Sequence, residues 1–179
     1  AYLGGFGHEH DVINIVKAAH ILQDSEIEGL EFNIYGNGPG KAACLEEAKK
    51  KELTNINFYE SVAKSEVQSK LVNADVLVAC LIDSPVYRFG INLNKLYDYF
   101  LAAKPIVFSG NVKNNLVQEA NAGISILPED PQSLAEAVLK VKNMTEEKRL
   151  NLGENGFRYA TIHFSKPVMA SKFEKLIIN

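Results

Sequence analysis

Between Phe89 and Phe100 the chain reads Phe-Gly-Ile-Asn-Leu-Asn-Lys-Leu-Tyr-Asp-Tyr-Phe, and Ala103-Lys104-Pro105-Ile106-Val107 follows. A helix that starts after Asn92 would leave backbone N–H groups free at its amino end, beside the cation Lys95. Asn94 and Asp98 lie one turn apart on that helix, with Lys95 beside them and the small Ala102 above. An anion site with a hydroxyl acceptor one turn deeper is chemistry that suits a sugar nucleotide. Arg88 and Lys95 flank the loop-to-helix junction, where a diphosphate would meet both the helix dipole and fixed cations; the alternative is surface charge that touches nothing. Asp98 is placed to accept hydrogen bonds from vicinal ribose hydroxyls, or else is an exposed helix acid paired with a lysine.

Two glycine-rich loops could complete such a site. Gly4-Gly5-Phe6-Gly7 would let backbone approach a phosphate or a reacting sugar closely, but His10 stands where a dinucleotide fingerprint needs its third glycine. Gly36-Asn37-Gly38-Pro39-Gly40-Lys41 is not a P-loop, because Tyr35 and Ala42 occupy the positions that need Gly and Ser or Thr. It is either a structural turn or a loop in which Gly38 also walls a nucleotide pocket. His8-Glu9-His10-Asp11 lacks the spacing that puts two histidines on one helix face, so a solvated helix start is expected there and no metal. His8 or His10 could still point at a ligand.

The elements that must position these residues alternate along the chain. Strand candidates are Ala1–Leu3, Glu31–Tyr35, Ile56–Phe58, Asp75–Leu81, Pro105–Phe108 and Ile124–Leu127. The unbroken apolar run from Val76 to Leu81 is the pattern of a strand covered on both faces. Val12, Ile15, Val16, Ala19 and Leu22 mark a first helix; Leu134, Ala137, Val138 and Val141 mark a later one capped by Asp130 with Pro131 at its first position. In the helix after Asn92, the stripe Leu93, Leu96, Tyr97, Phe100 and Leu101 is expected to face the core. Thr145 and Ser165 with Pro167 open two helices near the end. This order predicts an α/β, Rossmann-like, doubly wound parallel sheet of about six strands with a helical C-terminal tail. In such sheets ligands bind beyond the carboxyl ends of the strands, where both glycine loops fall.

Composition narrows the partners. A chain of 179 residues with net charge −3 fits one domain with its own core and carries no basic footprint for nucleic acid. Mixed charges without a polybasic run give no sign of direct lipid binding, and no apolar stretch is long enough to span a membrane. Cys44 and Cys80 read as small core residues in a reducing compartment, which points to the cytoplasm. The start at Ala1, directly on a strand pattern, suggests that an upstream portion is missing.

Taken in order, these segments resemble the C-terminal, donor-binding domain of retaining GT-B glycosyltransferases of the glycosyl-transferase group 1 family. The resemblance runs through Tyr2-Leu3-Gly4, Ile34-Tyr35-Gly36-Asn37-Gly38-Pro39, Asn55-Ile56-Asn57-Phe58-Tyr59 leading to Val62, and Asn73-Ala74-Asp75-Val76-Leu77-Val78. It continues through Phe89 to Asp98, Lys104-Pro105-Ile106-Val107 and Ala122-Gly123-Ile124 before Pro128-Glu129-Asp130. The form Asn94-Lys95-Leu96-Tyr97-Asp98-Tyr99 is most similar to members that build capsular and O-antigen polysaccharides. The resemblance implies that backbone near Ser61 and Val62 reads the nucleobase and that Asp98 stands at the family's ribose-binding glutamate. It implies that amides from Gly90 through Ile91, Asn92, Asn94, Lys95 and Leu96 hold sugar and diphosphate, and that Gly5, Phe6 and Gly7 border the diphosphate. It further implies a UDP- or GDP-linked sugar as donor, no metal or other cofactor, and a second, acceptor-binding half upstream, through which any membrane contact would arise. Four positions depart from the family, Asp98 among them, one methylene shorter than the glutamate it replaces. Gly90 stands where a second glutamate contacts the donor sugar, and the Arg and Lys after the first strand are absent, so Lys95 or Arg88 must supply that charge.

Two other classes lack the residues they need. A nicotinamide or flavin oxidoreductase requires the third glycine and an acid after the second strand, where His10 and Gly36 stand; a receiver-like module requires a strand-terminal Asp, where Gly4 and Tyr59 stand. A GT-B domain that binds a nucleotide or partner without turnover remains open.

Overall fold

The computed structural model describes residues 1–178, and the side chains of all of these except Lys172 and Ile178. Six short parallel strands alternate with eight helices: β1 Tyr2–Leu3, α1 Val12–Asp24, β2 Phe32–Tyr35, α2 Lys41–Lys50, β3 Ile56–Tyr59, α3 Val67–Val72, β4 Leu77–Cys80, α4 Asn94–Leu101, β5 Ile106–Ser109, α5 Leu116–Glu119, β6 Gly123–Ile126, α6 Pro131–Lys142, α7 Glu146–Phe164 and α8 Lys166–Ile178. The expected strands are all present, each within about two residues of its predicted ends, a margin normal for element boundaries.

The strands form two parallel ladders, β1-β2-β3 and β4-β5-β6, rather than one uninterrupted sheet. The inner strands of the two ladders are tied at Ala1, whose carbonyl accepts from Val78 N at 2.9 Å and whose amino group donates to Val76 O at 2.5 Å. The order across the molecule is therefore 3-2-1-4-5-6, with the reversal of strand order between β1 and β4.

Alternation along the central strands accounts for the two helical layers. Val78, Cys80 and Val107 pack with α1, α2 and α6 on one face, while Leu77, Ala79, Leu81, Ile106 and Phe108 pack with α3, α4, α5 and α7 on the other. That is why the run from Val76 to Leu81 carries no polar residue. The predicted caps also form: Asp130 Oδ1 accepts from Ser133 N at 2.9 Å and Thr145 Oγ1 accepts from Lys148 N at 3.3 Å. Among the described residues no helix is long and apolar enough to cross a membrane.

Candidate functional site

The site is built where β1 and β4 part. Beyond Ala1 the two strands do not bond to each other directly; the Tyr99 hydroxyl sits between them instead. It accepts from Leu3 N at 2.9 Å and shares its own proton between Leu3 O at 3.3 Å and Val78 O at 3.2 Å. A buried phenol thus satisfies the backbone groups exposed by the switch in strand order.

The glycine loop Gly4–Gly7 leaves β1 at this point, and the second glycine loop folds down upon it. Gly4 N donates to Tyr35 O at 3.0 Å, Phe6 N to Asn37 O at 3.0 Å, and Gly40 N to Phe6 O at 2.8 Å. Only glycine can stand at Gly36, where φ is +149° and a Cβ would lie 1.8 Å from Gly4 O. The loop Gly36–Gly40 thus buttresses the first. Gly38, whose own Cβ would meet Phe6 N at 2.9 Å, lies behind that loop. Phe6 lies on the core side of the loop. Its ring is 1% exposed, packed against Tyr2 and Phe58, and both of its backbone polar groups are already bonded. It shapes the loop from the core side and presents no free polar group of its own.

Lys95 reaches this loop from the first turn of α4. Its Nζ donates to Tyr2 Oη at 2.8 Å and lies 4.2 Å from the Tyr2 ring centroid, and Tyr2 Oη donates in turn to Gly5 O at 2.5 Å. A Cβ at Gly4 would stand 2.5 Å from Lys95 Nζ, which locates the ammonium against the glycine loop. Burial lowers the Lys95 pKa to about 8, opposed by the Cys80 sulfur and the Glu9 carboxylate. The lysine is charged at neutral pH, with two ammonium protons left to donate.

His10 borders the same loop: a Cβ at Gly5 would lie 3.7 Å from its Cδ2. Burial, then Lys95, push its pKa below the usual histidine value, so the ring is neutral at pH 7. Its buried Nδ1 has no partner among the described residues, and Nε2 lies 3.5 Å from Glu9 Oε1. Glu9 also crowds Gly7, and His8 is exposed. Among the described residues no group of three or more His, Cys, Asp or Glu is placed to hold a metal ion.

The start of α4 narrows the set of free amides. Gly90 N donates to Tyr87 O at 3.0 Å, Leu96 N to Leu93 O at 2.9 Å, and Ile91 N to Asn114 Oδ1 at 2.7 Å. Asn114 Nδ2 donates back to Ile91 O at 2.8 Å, so one side chain grips both polar groups of Ile91. Gly90, Ile91 and Leu96 therefore have no N–H to give a ligand. The amides of Asn92, Leu93, Asn94 and Lys95 have no partner among the described residues, and Leu93 caps the helix without a side-chain hydrogen bond. The Asn92 side chain is engaged, its Oδ1 accepting from Tyr97 Oη at 2.9 Å.

The α4 helix is rotated from its expected setting. Leu96, Tyr99 and Phe100 are buried, while Leu101 is 49% exposed. Tyr99 and Lys95, four residues apart, turn together toward the β1/β4 junction, which carries Leu101 out of the core. Asp98 is half-buried, and its carboxylate has no partner among the described residues. Its carbonyl accepts from Gln68 Nε2 at 3.0 Å, tying α4 to α3. Ser61 is exposed, and Val62 packs at the edge of the second core. Arg88 is exposed and stacked at 4.7 Å on Phe89, in a depression formed with Asp83, Ser84, Asn111 and Lys113. Neither the glycine loop nor Lys95 lines that depression.

Sequence reading missed Tyr2, Tyr99 and Asn114. A signal existed for Tyr99, which stands one helical turn after Lys95 and shares its face; nothing in the sequence distinguishes Asn114 from Asn115.

The fold recurs in solved structures. A mutant of S. aureus TarM in complex with Fondaparinux, alpha-GlcNAc-glycerol and UDP superposes with a TM-score of 0.82 at 14% identity over 98% of this chain and 34% of that one. Anabaena HepE in complex with UDP-glucose gives 0.81 at 11% identity over 98% of this chain and 47% of that one. The C-terminal domain of a glycosyl transferase group 1 family protein (LpcC) from Francisella tularensis gives 0.73 at 13% identity over 92% of this chain and 85% of that one. This chain thus spans about a third of the TarM chain and about half of the HepE chain. No curated protein matches it in sequence. The model of the family Glycosyl transferases group 1 matches residues 1–143, most of the chain, and the protein belongs to that family.

Proposed function

We propose that the chain is the donor-binding half of a retaining glycosyltransferase. The enzyme would move a sugar from a UDP- or GDP-linked donor to a glycan or lipid-linked acceptor in capsular or O-antigen polysaccharide synthesis. The observation that carries the reading is Lys95: an ammonium held against a glycine loop, on the helix whose first amides are free. In sugar transfer the bond from the anomeric carbon to the diphosphate oxygen breaks and its electron pair leaves with the diphosphate. A bond to the acceptor oxygen forms on the same face, and the acceptor proton passes to the departing diphosphate or to a base. The developing negative charge is met by Lys95 and by the amides of Asn92 to Lys95, preorganised donors at a positive helix end. The free Asp98 carboxylate would accept the ribose hydroxyls, with backbone near Ser61 and Val62 against the base. Gly5 leaves room for the diphosphate, Glu9 would have to swing away from Gly7 to admit it there, and no metal is required to neutralise it.

The acceptor-binding half would lie upstream of Ala1, and the assembled enzyme would work in the cytoplasm, meeting a membrane through its acceptor or that half. The nucleotides in the TarM and HepE complexes are UDP and UDP-glucose, which supports the uridine donor first. The test is titration of UDP and GDP into the wild type and Asp98→Ala. The expected result is about a tenfold loss with the preferred nucleotide, the worth of hydrogen bonds to a charged group. Unchanged affinity removes Asp98 from the ribose site. A second reading, nucleotide or partner binding without turnover, is favoured by Gly90 at the sugar-contacting position and is separated by assay of the chain joined to its upstream half.

A further inference from the structure

We infer that Tyr2 is a positioning residue: its hydroxyl bridges Lys95 Nζ and the Gly5 carbonyl and holds the ammonium against the glycine loop, where a diphosphate would meet it. The inference rests on the donor-binding reading. Lysine is a flexible point charge, costly to fix and costly to bury without acceptors. Tyr2 answers both costs from one fully buried ring, by the hydrogen bond at 2.8 Å and by the ring face at 4.2 Å. The direction of the chain of bonds is fixed, because the Tyr2 proton goes to Gly5 O at 2.5 Å and leaves only a lone pair toward Lys95. Loop backbone and catalytic charge are thereby held in one register by a residue that touches neither solvent nor substrate.

The groups facing the ammonium are few. Tyr2 comes from β1, Glu9 and His10 from the turn after the glycine loop, and Cys80 from β4. Burial raises the Tyr2 phenol and the Cys80 thiol far above neutrality and keeps His10 uncharged, so among the described residues Glu9 supplies the formal charge that acts on Lys95. Removing the Tyr2 hydroxyl takes an acceptor from the charged lysine and leaves the remaining groups unchanged, which shifts the lysine toward its neutral form.

The experiment compares wild type, Tyr2→Phe and Lys95→Met. Tyr2→Phe retains the ring that fills the core. The Lys95 titration is followed by NMR at its Cε and Nζ, and UDP and GDP affinities are measured from pH 7.5 to 9.5, above the phosphate pKa of about 6. In the wild type the lysine titrates near pH 8 and nucleotide affinity declines through the same range. In Tyr2→Phe the midpoint moves to lower pH, and affinity at pH 7.5 falls roughly fivefold to tenfold. If Lys95→Met weakens nucleotide binding while Tyr2→Phe leaves both midpoint and affinity unmoved, the positioning role of Tyr2 is overturned and the donor reading stands. If neither nucleotide binds the wild type, or Lys95→Met has no effect, the donor reading falls and takes the inference with it.

Discussion

Asp11 adopts φ 42° and ψ 44°, a left-handed conformation that a non-glycine residue occupies at a cost of about 1 kcal/mol. Its side chain is buried, Oδ2 has no hydrogen-bond partner among the described residues, and burial, with Glu129 nearby, raises its pKa to about 6. Between about pH 4 and pH 6 the folded chain binds more protons here than the unfolded chain, so stability falls as pH rises through that window. Above it the penalty of the buried carboxylate is fully present. Asp11→Gly relieves both backbone and charge, against a smaller entropic gain of the unfolded chain. We expect a stabilisation of about 1–2 kcal/mol at pH 7 that shrinks by pH 4.5, read from urea midpoints at the two pH values. Loss of stability at pH 7 would contradict this account of Asp11. The same scale shows where reading by residue type fails. Lys95 was recognisable as a cation at a helix start, but the direction of its side chain depends on Tyr2, ninety-three positions away.

Helix α7 packs against α4 through a stripe of small residues, Gly153, Gly156 and Ala160, all buried. A Cβ at Gly153 would stand 2.0 Å from Ala103 O, in the turn that joins α4 to β5. Gly153→Ala would push α7 away from the element that carries Lys95 and Asp98. Helix propensity favours alanine by about 1 kcal/mol, yet the collision with rigid backbone outweighs it. A net loss of about 1–3 kcal/mol is expected in thermal unfolding, and a raised Tm would show that α7 can shift freely. Elements whose signals are local were legible in the sequence: the caps at Asp130 and Thr145, and the doubly covered β4. The setting of α4 was not, because a helical wheel fixes angles between side chains but not which pair faces the sheet. Tyr99 decided that by bonding the parted backbones of Leu3 and Val78.

Across the whole molecule, strand order reverses between β1 and β4, and the first glycine loop, Lys95 and Tyr99 meet there, while Ser61 and Val62 follow β3 on the outer side of the first ladder. The fold class was legible because strand and helix periods alternate along the chain and leave few topologies that obey right-handed crossover. The site was half legible. Lys95 stands in the first turn of α4, with its ammonium against the first glycine loop. Arg88 lines a separate depression, and Gly90, Ile91 and Leu96 spend their amides on Tyr87, Asn114 and Leu93. Such pairings join residues distant in sequence or hidden in loop geometry, which periodicity does not encode. A crystal structure of the chain with UDP or GDP is the most direct test of this arrangement. The account predicts the diphosphate within hydrogen-bond distance of Lys95 Nζ and of at least one amide between Asn92 and Lys95. A nucleotide bound elsewhere, with Lys95 still bonded only to Tyr2, would contradict it.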